Sequence, residues 1–251
     1  GPFTAANLSD YMTCPRKFFL SRFAPRAQQR ALGQMRALQQ ALRSALVDAD
    51  KLGGPAAAGL ERIRDEFNRL FDGSLCADSL EEEQARRRGL RMLAEYVASQ
   101  RSNPAELLAV DQRFEETIED FTFVAVADRV ERDAELGLIV ARYDARRDPP
   151  GPTRILRHLP WGLLVMLAEQ HYSQRPLARL YALHKNKRYD VTFDDQALGR
   201  LRQRVLSIAR ALRADAEFAP RPGDDCRWCR VRSQCSAWQQ RRREALESGG
   251  L

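Results

Sequence analysis

The chain has 251 residues and 28.6 kDa, is 44% hydrophobic and 30% charged, and has a mean hydropathy of -0.51. That is the composition of a globular protein with room for one large domain or two small ones. Its 41 Lys+Arg against 34 Asp+Glu give a net charge of +7. No window approaches the ~18 uninterrupted apolar residues of a membrane helix, and no signal-peptide pattern is read at the start of the sequence. Membrane, disulfide-scaffold and disordered classes are excluded, and a cytoplasmic location is expected. Gly1-Pro2 reads as a protease-cleavage scar on an excised domain.

Only Lys17, Lys51, Lys185 and Lys187 are lysines; the other basic residues are arginines. GC-rich codons give such a bias without function, whereas guanidinium forks match phosphate oxygens two at a time. The positive balance raises the expectation of a polyanionic partner without establishing one. Runs such as Arg86-Arg87-Arg88 and Arg241-Arg242-Arg243 read as solvated helix faces.

In chain order, residues 8–23 carry a Ser/Asp cap signal and a short helical pattern holding Cys14, with Pro15 behind it. Residues 28–50 have apolar side chains three and four apart and predict a long amphipathic helix, broken by KLGGP. Two more helices are predicted at 57–72 and 80–102, the second starting after Asp78-Ser79 with glutamates suited to a helix N-terminus. From about 107 to 145 the pattern alternates as strands do, with turns at Glu119-Asp120 and Ala134-Glu135, which predicts an antiparallel meander. After a DPPGP loop come a helix at 157–173, two strands around His184–Lys187, a helix at 194–216, and a cysteine-bearing tail with a basic helix. This order predicts an α/β or α+β core.

Cys226, Cys229 and Cys235 form a CxxC followed by a third cysteine. A CxxC turn sets two thiolates around one metal centre and the third returns soon after. Three ligands leave such a site one short, and Cys14, in a CPxxF motif near the other end, is the natural fourth. Spacing leaves Zn²⁺ and a [4Fe–4S] cluster both open; either would tie the chain ends together. Cys76 has no partner nearby and reads as an ordinary half-buried cysteine.

NLSDYMTCPRKFFL at one end and CxxCx5C at the other resemble the iron–sulfur branch of the PD-(D/E)XK nuclease superfamily. That branch includes the nuclease domains of AddB-type helicase–nuclease subunits and CRISPR-associated iron–sulfur exonucleases. The resemblance implies a restriction-endonuclease-like α/β fold: a mixed central sheet flanked by helices, with the termini stapled by the four-cysteine cluster. It also implies an N-terminal helical region (3–104), a nuclease-like core (105–219) and a cluster segment (220–251) forming one unit. Cys14, Cys226, Cys229 and Cys235 would ligate one [4Fe–4S] cluster.

The family's chemistry needs acidic residues holding Mg²⁺ or Mn²⁺, with a lysine beside them. Asp128 in VAVADRVERD matches the first acid. Where the family has an early-helix histidine this chain has Ala37. In LGLIVARYDARR the acid-x-lysine positions fall on Ala141 and Tyr143, or one residue later on Arg142 and Asp144, and neither frame supplies both groups. No Gln-x-x-x-Tyr pair is in register on the following helix, Gln170 being one or two turns late.

Asp128 is therefore expected to be vestigial, and the domain to be an inactive nuclease fold that binds DNA, as a single strand or forked end, or scaffolds a helicase partner in DNA repair or recombination. Arg16, Lys17, Arg227, Arg230 and Arg232 are the candidate phosphate-binding residues. Two alternatives stay open: an active exonuclease with a rearranged metal centre of Asp128, Asp144 and Glu131 or Asp133, and a zinc-stapled interaction module. Trp228 and Trp238 can stack on bases or shield a cluster, while Trp161 reads as core. His158, His171 and His184 have no ligand spacing.

Overall fold

The computed structural model describes residues 1–23, 33–101 and 105–247. A two-residue strand β1 (Phe3–Thr4) leads into helices α1 (Ala5–Thr13) and α2 (Pro15–Phe23). The predicted Ser/Asp cap is not the one used. Thr4 caps α1, accepting from the Asn7 N–H at 3.2 Å, and the single pattern at 8–23 is two helices broken at Cys14. Pro15 causes the break, because it disfavours helical backbone at the residue before it while suiting the first position of a new helix.

Helix α3 (Gly33–Lys51) fills most of the predicted long helix; residues 28–32 of that prediction lie outside the described residues. The short α4 (Pro55–Ala58), α5 (Leu60–Leu70) and α6 (Ser79–Gln100) follow. Asp78 caps α6 as expected, its carboxylate accepting from the Glu81 N–H at 2.7 Å. The meander is β2 (Glu106–Ile118), β3 (Phe121–Asp133) and β4 (Gly137–Asp144). Then come α7 (Pro152–Arg157), α8 (Leu159–Tyr172), β5 (Leu177–Ala182), β6 (Lys187–Val191), α9 (Asp195–Ala214) and α10 (Ser236–Glu247).

The six strands form one mixed sheet. Strand β3 pairs antiparallel with β2 along almost its whole length, from Ile118↔Phe121 to Glu106↔Arg132. Its other edge is shared: β1 runs parallel to it at Phe123 and Val124, and β4 antiparallel from Arg129↔Ala141 to Asp133↔Gly137. Residues 125–128 of that edge face a gap where β3 and β4 part. Beyond β4 the sheet continues through parallel β5 and antiparallel β6.

Apolar cores lie on both faces. One holds α1, α8 and α9 side chains with Phe114, Phe123 and Val140; the other holds α3, α5 and α6 side chains with Ala141, Tyr143 and Tyr181. This is the mixed sheet flanked by helices that the sequence predicted. Among the described residues no helix is long and apolar enough to cross a membrane.

Candidate functional site

Strand alternation slips in the middle of β3. Ala127 and Val130 both pack into the α8-side core, so the chain kinks at Asp128–Arg129, where β4 departs. Opposite the kink, Asp111 on β2 takes a left-handed backbone with φ 51°, a conformation that Asp tolerates better than most residues.

Side chains close the fork. The buried Asp128 carboxylate accepts from the Tyr143 N–H at 2.7 Å and pairs with Arg43 Nε of α3 at 2.5 Å. The other arm of Arg43 reaches Asp111 at 2.6 Å. Arg142 of β4 donates through Nε and Nη2 to the Val126 carbonyl at 3.0 and 2.8 Å, replacing the strand partner that Val126 lacks on this edge. The Arg142 guanidinium lies 5.4 Å from the Trp161 ring centroid. Gln39 of α3 straps the end of β4, donating to the Tyr143 carbonyl at 2.9 Å and accepting from the Ala145 N–H at 2.5 Å.

Burial raises the Asp128 carboxyl pKa, against the pull of Arg43, the Tyr143 N–H and Arg142. Burial lowers Arg142, and Arg43 adds to the effect. Arg43 is held above its ordinary value: burial opposes its charge, but Asp128 and Asp111 outweigh that. The carboxylate is thus matched by arginines, the groups a divalent ion would have to displace.

Arg129↔Ala141 is the last β3–β4 pair, so the β4 residue beside Asp128 is Arg142, and Asp144 follows two positions on. Ala141 and Tyr143 point into the α3–α6 core. Asp144 is tied to Arg146 through both carboxylate oxygens.

The rearranged metal centre is not assembled. Glu131 is spent on other partners on the α3–α6 side: its carboxylate accepts from Arg179 Nη1 and the Tyr181 hydroxyl and is ion-paired with Arg129 Nε, each at 2.9 Å. Asp133 caps the β3–β4 turn, accepting from the Glu135 and Leu136 N–H groups. Among the described residues no three His, Cys, Asp or Glu side chains converge as they would around one ion. Ala37 is buried in the α3–α6 core, and Gln170 reaches Thr117. The three histidines sit on separate elements: His158 before α8, His171 in its last turn and His184 after β5.

Sequence reasoning missed Arg43, Gln39 and the placement of Trp161. The first two form an i, i+4 polar pair on α3 among buried Leu38, Leu42 and Leu46. That interruption of an apolar helix was the available signal.

At the other end of the molecule, Cys14, Cys226, Cys229 and Cys235 all line one cavity of about 480 Å³. Cys14 occupies the α1–α2 break and its sulfur accepts from the Arg221 N–H at 3.3 Å; that of Cys226 accepts from the Gly223 N–H at 3.4 Å. Burial raises the Cys229 thiol pKa, with Cys14 and Cys226 adding to it. Apart from the cysteines, Tyr11 joins α1 to the end of α9 through Asp215 at 2.9 Å, and Phe18 stacks on Phe218 with centroids 6.0 Å apart. Cys76 lies apart, half-buried against the α3–α6 core.

The candidate phosphate-binding residues divide. Asp10 neutralises both Lys17, at 3.0 Å, and Arg230. Arg227 is exposed, with only a loose pairing to Asp224 at 3.4 Å. Arg16 and Arg232 line the cysteine cavity over Phe19 and Trp238 respectively. Trp228 is 83% exposed and Trp161 is buried.

No curated protein is similar to this chain in sequence. A solved structure titled "Crystal structure of SSO0001" shares 14% identity over 94% of this chain and 86% of that one, with a TM-score of 0.40, a likeness too loose to support an assignment. The model of the PD-(D/E)XK nuclease superfamily matches residues 2–236, and the chain belongs to that superfamily.

Proposed function

We propose that this chain is a catalytically silent nuclease domain that binds DNA and scaffolds a helicase–nuclease partner in DNA repair or recombination, its two ends held by a [4Fe–4S] cluster. The observation that carries the reading is Arg142. Metal-dependent phosphodiester hydrolysis needs a second acid beside Asp128 to hold Mg²⁺ or Mn²⁺; this chain has a guanidinium there, donating to the Val126 carbonyl at 3.0 and 2.8 Å. With Arg43 on the remaining carboxylate, the fork holds a strand junction together and lacks the means to activate water.

The four-cysteine cavity supports the cluster. Cys14, Cys226, Cys229 and Cys235 would supply its thiolates, and the Arg221 and Gly223 N–H groups already face two of the sulfurs, as donors around such clusters do. When bound, the cluster supplies a covalent tie between segments more than two hundred residues apart in sequence. The chain's own residues hold Cys14 at the helix break and align the tail through Tyr11 and Phe18.

DNA contact is supported by the basic residues around this cavity, which suit phosphate binding without sequence readout. The test is anaerobic purification with a visible spectrum and iron, sulfide and zinc analysis. A brown protein with a broad band near ~400 nm and about four irons per chain supports the cluster. A colourless protein with one zinc overturns it.

A further inference from the structure

Beside the cysteine cavity runs a second groove of about 350 Å³, between α1, the α7–α8 corner and α9. The two adjoin, since Thr13 and Asp225 line both. Taken together they are lined by seven cations: Arg16, Lys17, Arg221, Arg232 and Arg241 in the first, and Arg157 and Arg204 in the second. Asp225 is the one lining acid. Of the seven, Lys17 alone forms a salt bridge among the described residues, with Asp10. Among the described residues, arginines elsewhere such as Arg43, Arg175 and Arg210 are held in salt bridges, whereas the six arginines of this track form none.

The track has direction. At its cysteine end stands Trp228, 83% exposed, an open ring of the kind on which unpaired bases stack. At its other end the exposed His158 begins α8 without using its side chain as a cap. Partial desolvation of its ring first, and then Arg146, Arg142 and Arg154, lower the His158 pKa, which places this end near Arg142 of the fork. Ser9 and Thr13 place hydroxyls along the floor.

We infer that Arg157 and Arg204, assigned no role above, extend the DNA-binding surface, so that one single strand runs from Trp228 past Thr13 to the α7–α8 corner beside the β3–β4 fork. This rests on the proposed DNA binding and names its strand class and path. The phosphates follow the unpaired guanidiniums, and the bases stack at the Trp228 end. The silent centre then holds the strand without cutting it.

The experiment is fluorescence anisotropy of the full chain with labelled oligo(dT), titrated with salt. It compares the unaltered protein with Arg157→Glu/Arg204→Glu and with Arg232→Glu/Trp228→Ala. Arg157 and Arg204 are exposed and unpaired among the described residues, so the fold persists, and a thermal melt verifies it. Each phosphate contact with a single strand contributes about 0.7 to the slope of log K against log salt. The groove double variant is expected to flatten that slope by at least about 1.4 and to raise Kd severalfold. Unchanged affinity and slope in this variant, with binding lost in the Trp228-end variant, overturn the path while leaving DNA binding in place. Failure of the unaltered protein to bind any oligonucleotide overturns both.

Discussion

Arg43 and Asp128 lie 85 positions apart in sequence and meet at 2.5 Å across the gap where β3 and β4 part. Their contact joins the helical layer to the sheet at the strand junction. With Arg142 on the other side, it makes Asp128 part of a structural latch.

Replacing Asp128 with Ala leaves the Tyr143 N–H and the Arg43 Nε–H without their acceptor and takes a carboxylate from beside the buried Arg142. Discounted for the partial exposure of Arg43, the expected cost is roughly 2–4 kcal/mol of unfolding free energy, read by urea denaturation. Incubation with DNA and Mg²⁺ or Mn²⁺ is expected to give no degradation before or after the change. Metal-dependent cleavage by the unaltered protein that vanishes in Asp128→Ala would sink the silent-domain reading.

Asp50 gives the fold a pH dependence. Its carboxylate is buried on the α3–α6 face, takes the Tyr143 hydroxyl at 2.6 Å and leaves Oδ1 without a hydrogen-bond partner. Burial raises its pKa to about 6 from the ordinary 3.8, partly offset by Arg129. The folded state therefore binds the proton more tightly than the unfolded chain. This favours folding fully below pH ~4 and is lost as pH rises through ~6, a change of about 3 kcal/mol from this group. Asp50→Asn is expected to remove that slope between pH 4 and 6, as measured by urea midpoints. An unchanged slope would assign the dependence to other groups.

Loss of the proposed cluster is expected to loosen the chain ends before the sheet. Cys226→Ser should abolish the ~400 nm band and sharpen proteolysis of the tail beyond Pro220. The sheet persists because Tyr11–Asp215 and Phe18–Phe218 still tie α1 and α2 to the segment after α9. A variant that retains the full band would remove Cys226 from the ligand set.

Gly89 tests the packing of the helical layer. A Cβ there would stand 2.3 Å from Phe67 Cζ and 3.0 Å from Leu38 Cδ1. Gly89→Ala gains about 1 kcal/mol of helix propensity and loses about 1–3 kcal/mol to overpacking. A net loss in thermal stability is expected, and a rise in Tm would mean that α6 packs less closely on α5 and α3 than described.

Much of this was legible in the residues themselves. Alternation between 107 and 145 marks three strands, Asp78 announces α6, and the cysteines place themselves at the two ends; each is a local pattern, set by side-chain period, cap chemistry or ligand spacing. The same locality limits what they tell. Residues 8–23 read as one segment until Pro15 divides it, and simple alternation sets Glu131 away from Asp128 until the kink at Asp128–Arg129 shifts the pattern. Whether Ala141 or Arg142 stands beside Asp128 depends on the pairing of β3 with β4 and on the kink at Asp128–Arg129. A one-residue slip in a strand reverses every side chain. Arg43 and Trp161 reach the fork only because α3 and α8 pack on opposite faces of the sheet. The sequence by itself determined the elements, the acid on β3 and the cysteine framework. Tertiary structure alone decided that the acid would face arginines, because register and the approach of distant helices are properties of the packed core and of no single segment.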